Sequence, residues 1–140
     1  MSRSDLSDIR VHVRFKLSGL WASVMLCYIY GDYFALFVPD KLQQMIDGRI
    51  DGLGPISQGL LIIFAAIMAI PSLMIFLPLV LPAAVCRWVN IVLGLAFTLL
   101  MAASMPGQWH YFWVLGVIEM ALTLTIVVLA WRWPRTAATP

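Results

Sequence analysis

Residues 17–38, LSGLWASVMLCYIYGDYFALFV, decide the fold. The run is long enough to cross about 30 Å of hydrocarbon at about 1.5 Å per residue, and it is far more apolar than a surface helix needs to be. Its second half, Tyr28-Ile29-Tyr30-Gly31-Asp32-Tyr33-Phe34, nevertheless carries a carboxyl, three phenols and a glycine. Ionisable groups within a membrane helix are costly, and they mark functional candidates by default. Trp21, Met25, Tyr28, Asp32 and Ala35 recur at helical spacing and predict a polar and aromatic stripe facing the rest of the fold. Gly31 removes a side chain where another helix, water or a ligand can approach the backbone.

The remainder of the chain fits a membrane setting. Of 140 residues, 62% are hydrophobic and 11% charged, with a mean hydropathy of +0.92. That composition leaves too little polar surface to cover a soluble globule. The net charge of +2 sits mostly in flanks between apolar runs and reads as an orientation signal, so nucleic acid is not an expected partner. Cys27 and Cys86 have no C-x-x-C spacing and read as small buried apolar residues. The first apolar run is longer than a signal-peptide core and lacks a small-residue cleavage site, so it is expected to stay in the protein.

Upstream, Ile9 to Leu17 alternates apolar and basic residues. Two readings stay open there: an arm lying on an anionic leaflet, or the irregular start of the first helix. Downstream, Pro39 stops the crossing, and Asp40 with Gln43 has the form of an N-cap and its capping-box partner. A short amphipathic helix over Lys41–Ile46 is expected, with Leu42, Met45 and Ile46 toward the membrane. Asp47-Gly48, Asp51-Gly52 and Gly54-Pro55 are turn signals. The carboxylates Asp40, Asp47 and Asp51 match no calcium-loop spacing and read as solvated turn residues, so no metal site is expected.

Further crossings are expected over about 56–81, 88–105 and 111–131. Pro71 falls near the middle of the second and predicts a kink or hinge. Gln58, near the outer start of that segment, is expected to reach the level of Asp32. Ala65 with Ala69, and Gly94, Thr98 and Ala102, form small-residue stripes for close helix packing. Residues 83–87 read as a tight inner turn, with Arg87 and Asn90 as anchors at its end. All six tryptophans fall near the predicted ends, as in an aromatic belt. Arg3, Arg10, Arg14, Lys16, Arg87, Arg132 and Arg135 collect on one side, against Lys41 and Arg49 on the other. Both termini are therefore expected in the cytoplasm, and the asymmetry argues against a dual-topology transporter. The expected fold is an all-α polytopic membrane protein, an up-down bundle of four transmembrane helices forming one domain over 1–140, in a bacterial inner membrane.

Counted along the predicted helices, Asp32 lies about 9 Å and Glu119 about 12 Å from the outer ends of the first and fourth crossings. In an up-down bundle those helices are neighbours, so the carboxyls can share a pocket and a proton. Three functional readings follow, in order of preference. A structural or accessory subunit would have Asp32 bonded to Tyr28 or paired with Arg49, and Glu119 paired across the bundle. A proton- or cation-coupled transporter would use Asp32, Glu119, Tyr28 and Gln58 as an intramembrane site, with Pro71 as hinge. An enzyme acting on a lipid or quinone would recruit His110. The last is weakest, because no nucleophile with its base, metal set or phosphate loop is present. No cofactor is indicated, and haem is disfavoured because His12 and His110 fall on opposite sides of the bilayer. The lipid bilayer is the expected environment, with a second copy or another membrane protein as partner.

Leu17-Ser18-Gly19-Leu20-Trp21, the Cys27–Phe34 run with its Gly31-Asp32-Tyr33-Phe34 core, Gly54-Pro55 with Gln58-Gly59, Ala69–Met74 and the Arg87–Gly94 stretch carry a resemblance. Across nearly the whole chain they resemble an uncharacterised bacterial family of small four-helix membrane proteins. The resemblance implies membrane location and fold, and no activity. The chain is also similar in architecture to DoxX-like four-helix proteins, through helix number and the outer helix, with none of their motif residues matched.

Overall fold

A computed structural model describes residues 9–50 and 52–134. Arg3, Arg135, the turn residue Asp51 and the Thr-Ala tail, all used in the readings above, lie outside the described residues. The fold is mostly helical, with six helices in the order α1 (Val13–Ala35), α2 (Lys41–Ile46), α3 (Gln58–Leu73), α4 (Leu77–Val80), α5 (Ala83–Ser104) and α6 (His110–Trp131). A two-stranded antiparallel ribbon, β1 (Arg49–Ile50) with β2 (Gly54–Pro55), lies between α2 and α3. Gly48 and Gly52 adopt φ of 70° and 77° in its turns, where a side chain would be strained.

α1 starts at Val13 because His12 caps it: the His12 Nδ1 accepts from the Arg14 backbone N–H at 3.3 Å. The basic arm is thus helix from Val13 onward. The helix stops at Ala35, three residues short of the expected end. Pro39 disfavours helix at the residue before it, and the chain passes through turns from Leu36 to α2. The expected capping box does not form. Asp40 takes a left-handed φ of 63° and its side chain caps nothing, while Gln43 donates to the Asp47 carboxyl at 3.1 Å.

The second expected crossing, 56–81, is not one helix. α3 runs through Pro71 as far as Leu73, a turn follows, and α4 restarts with Pro78 in its first turn. Continuous helix would need an N–H that Pro78 lacks and would press its ring onto the Met74 carbonyl. Leu81, before Pro82, is then driven to extended backbone at ψ 148°, and α5 begins at Ala83 with Pro82 as its N-cap. The segment read as an inner turn, 83–87, is therefore the first turn of α5. The hinge expected at Pro71 is buried within helix, and the chain breaks three residues later.

α6 packs on both α5 and α1, while α3 and α4 rest on α1. The α5 and α6 backbones approach closely at Gly94, where a Cβ would stand 2.7 Å from Val127 Cγ2 and 3.1 Å from the Thr123 carbonyl oxygen. One turn on, the Thr98 and Thr123 hydroxyls meet at 2.7 Å. The α1 face that meets the core is Leu17, Trp21, Val24 and Gly31, with Tyr28 half-buried. Trp21 is buried against Phe97, their rings edge-on at 5.9 Å, and so does not belong to an interfacial belt. Ala65 and Ala69 face outward rather than toward another helix of the chain.

Two helices, α5 and α6, are long and apolar enough to cross a membrane, and only 33% and 22% of their most apolar windows are buried inside the protein. A core helix of a soluble protein would be mostly covered. Here the apolar side chains point out on most sides, among them Leu61, Ile62, Leu99, Val114 and Val128.

Candidate functional site

Because α3 rests on α1 and makes no comparable contact with α5 or α6 among the described residues, a space is left between them. It is a cavity of about 350 Å³. α1 contributes Cys27, Tyr28, Gly31 and Asp32; α3 contributes Phe64, Ile67 and Met68; α5 contributes Leu100, Met101 and Ser104; α6 contributes Phe112, Leu115 and Glu119. The lining is mostly apolar, and none of these residues carries a positive charge.

Glu119 is 1% exposed, and neither of its carboxyl oxygens has a hydrogen-bond partner in the protein. The Tyr28 hydroxyl is also buried and unpartnered. It faces Glu119 within interaction range but short of hydrogen-bond geometry. Helical periodicity brings the two together: Tyr28 lies one turn beyond Val24 on the buried face of α1, and Glu119 shares the buried face of α6 with Gly116 and Thr123.

Asp32 lines the same cavity but at another level. Since α1 ends at Ala35, Asp32 lies in its last turn, roughly 4.5 Å from the end, while Glu119 is about 13 Å into α6. The similar depth expected for the two acids depended on three residues of helix that do not form. Asp32 is exposed, and neither a Tyr28 bond nor an Arg49 charge supports it. It opens instead onto a polar vestibule of about 500 Å³ that reaches the start of α2 and the α5–α6 turn. Gly31, Asp32 and Phe112 line both spaces. Gln58 is exposed at the start of α3 and does not line the cavity. The cavity thus unites Tyr28, Asp32 and Glu119 and leaves out Gln58.

Residues 7–139 match a family of unknown function, DUF6326. The chain belongs to this family. That agrees with its likeness to an uncharacterised family, and the membership brings no activity with it. Neither the curated proteins nor the solved structures contain a match to the chain.

In this member of DUF6326 a second polar cluster lies at the other end of the long helices, and sequence reasoning missed it. The Arg14 guanidinium Nη1 donates to the carbonyls of Pro78, Leu79 and Leu81 at 3.2, 3.3 and 2.7 Å. Ser18 Oγ donates to the Ile75 carbonyl at 2.6 Å. The Ile75 carbonyl lies in the break between α3 and α4, and those of Pro78, Leu79 and Leu81 at the end of α4, where Pro82 stops the helix and leaves them without helical partners. Deeper in, Trp21 Nε1 donates to Asn90 Oδ1 at 2.8 Å, and Asn90 Nδ2 donates to the Cys86 carbonyl at 2.7 Å. Asn90 is fully buried here and anchors nothing at an interface. The available signal was three prolines within one apolar run, which announce loose carbonyls needing donors from elsewhere. Among the described residues, no group of three or more His, Cys, Asp or Glu is placed to hold a metal ion.

Proposed function

We propose that this protein crosses the membrane four times, through α1, the broken α3–α4 segment, α5 and α6, and binds a small molecule at an intramembrane carboxyl, as a carrier must. The observation that carries the reading is Glu119. A buried carboxyl without partners weakens the fold it sits in, whereas an apolar residue of similar volume at such a position is often neutral or stabilising. The group makes physical sense as one that meets its partner in a ligand. The scaffold reading is less well supported, since it required Asp32 and Glu119 to have partners within the chain.

The contact of Arg14 with Trp133, 5.9 Å from ring centroid to guanidinium, and of Arg87 with Trp131 at 5.8 Å, supports one basic, tryptophan-rich end. This is the end expected to face the cytoplasm. The cavity and vestibule then open toward the opposite face.

Thermal unfolding in detergent micelles of the native chain, Glu119→Gln and Glu119→Leu tests the role of the carboxyl. Both variants are expected to unfold at or above the native temperature. A clear drop for both, on the order of 5 °C or more, would make Glu119 a structural group and remove the motive for a binding site.

A further inference from the structure

The cavity and the vestibule together define a ligand chemistry. Two carboxyls, Glu119 within the cavity and Asp32 where it meets the vestibule, face a cavity lining that offers no positive side chain. The vestibule adds Asp40 and Lys41, whose charges offset each other. An anion seated in the cavity itself would meet two acids and mostly apolar walls. A neutral polar molecule would leave a carboxylate uncompensated. A cation offers what both acids lack, and the Tyr28 hydroxyl can orient toward either partner.

Size and polarity narrow the class. A volume of about 350 Å³ takes roughly a dozen heavy atoms, and the walls from Phe64, Ile67, Met68 and Leu115 require most of them to be apolar. The vestibule walls include the aromatic rings of Trp109, Tyr111 and Phe112. Ring faces attract organic cations. Gly31, Asp32 and Phe112 line both spaces, and a Cβ on Gly31 would meet only Leu115 Cδ1, at 3.8 Å.

We propose that the cavity binds a small lipophilic ammonium ion that enters through the vestibule past Asp32 and seats its charge against Glu119, its apolar body lying against α3. This rests on the binding reading above and names the ligand class for the same site.

The test is isothermal titration of the protein in micelles with phenylbutylamine, its uncharged counterpart phenylbutanol and the anion phenylbutyrate, each corrected against empty micelles. Saturable binding is expected for the amine, at least tenfold tighter than for the alcohol, with none for the anion. Glu119→Gln should weaken the amine at least tenfold and leave the alcohol unchanged. The amine-to-alcohol ratio is read on the native chain and needs no variant to fold. Equal binding of amine and alcohol, or full amine affinity in Glu119→Gln, would overturn the cationic class. If alcohol and amine bind equally and Ser104→Trp, which fills the cavity, abolishes both, the binding reading stands and the cationic class falls. Heats that never saturate mean partition into micelles and overturn the class as well, and the unfolding temperatures of the Glu119 variants then decide the binding reading independently.

Discussion

Trp21 and Asn90 form the one fully buried side-chain hydrogen bond between α1 and α5, and it is closed on the α5 side by the Cys86 carbonyl. In an apolar surround a donor left without its acceptor costs about 1–3 kcal/mol. Asn90→Ala is expected to lower stability by about that amount by stranding the indole N–H. Adding Trp21→Phe should cost less than its effect in the native background, because the stranded donor is removed. Denaturation of the two single variants and the double variant in mixed micelles checks this, and strictly additive losses would refute the coupling. The pair shows why single residues were only partly legible. A helical wheel finds that Trp21 and Tyr28 share a face, yet it cannot say that the partner of Trp21 is an asparagine sixty-nine residues away. Glu119 is legible in the sequence as a lone acid within an apolar run. That it faces the Tyr28 hydroxyl of α1 short of hydrogen-bond geometry follows only from how α1 and α6 pack.

The segment from Gln58 to Val80 raises the matching question for backbone. Its prolines announce a disruption, but the position of the break depends on which freed carbonyls find donors. Pro71 is accommodated inside α3, where the Met74 N–H still reaches the Ile70 carbonyl at 3.1 Å. The break falls instead between Leu73 and Leu77, where Ser18 on α1 bonds the Ile75 carbonyl, and Arg14 supplies donors to the carbonyls at the end of α4. Arg14 thus serves as more than a charge for orientation. Arg14→Ala should lose about 1.5–3 kcal/mol of stability, the range for hydrogen bonds involving a charged group. Arg14→Lys should recover only part of it, since the ammonium ends one bond short of the position of the Nη1 that makes all three contacts. Reversible unfolding monitored by helix content measures both, and an unchanged Arg14→Ala would assign the support of α4 to other contacts.

Taken as a whole, the molecule has two unlike ends. One gathers Arg14, Arg87, Trp131 and Trp133, together with the polar ties to α4. The other holds α2, the ribbon, the vestibule and the mouth of the cavity. Positive side chains near a membrane face bias that face to the cytoplasm. Alkaline phosphatase fused after Leu53 is expected to be active, and fused after the final residue inactive, while green fluorescent protein at the final residue should fluoresce. The reverse pattern would invert the orientation and direct the cavity toward the cytoplasm. The same asymmetry bears on the ligand: the end with α2 holds the polar space that shares Gly31, Asp32 and Phe112 with the cavity.

Composition, the spacing of apolar runs and the placement of turn residues were enough to establish a mostly helical chain with helices able to cross a membrane, the short helix at Lys41–Ile46 and an acid at position 119 within an apolar run. These are local or additive properties: hydropathy sums along the chain, and a glycine turn depends on its own φ. The start of α5 at Ala83, the break after Leu73, the burial of Asn90 and the separation of Asp32 from Glu119 could not be read that way. Each depends on whether a distant side chain supplies a hydrogen bond or leaves a space, and such pairings exist only once the helices have packed. The cavity is the clearest case. Nothing in the sequence of α3 says that it rests on α1 and stands away from α5, yet that gap turns a carboxyl in a helix into a site.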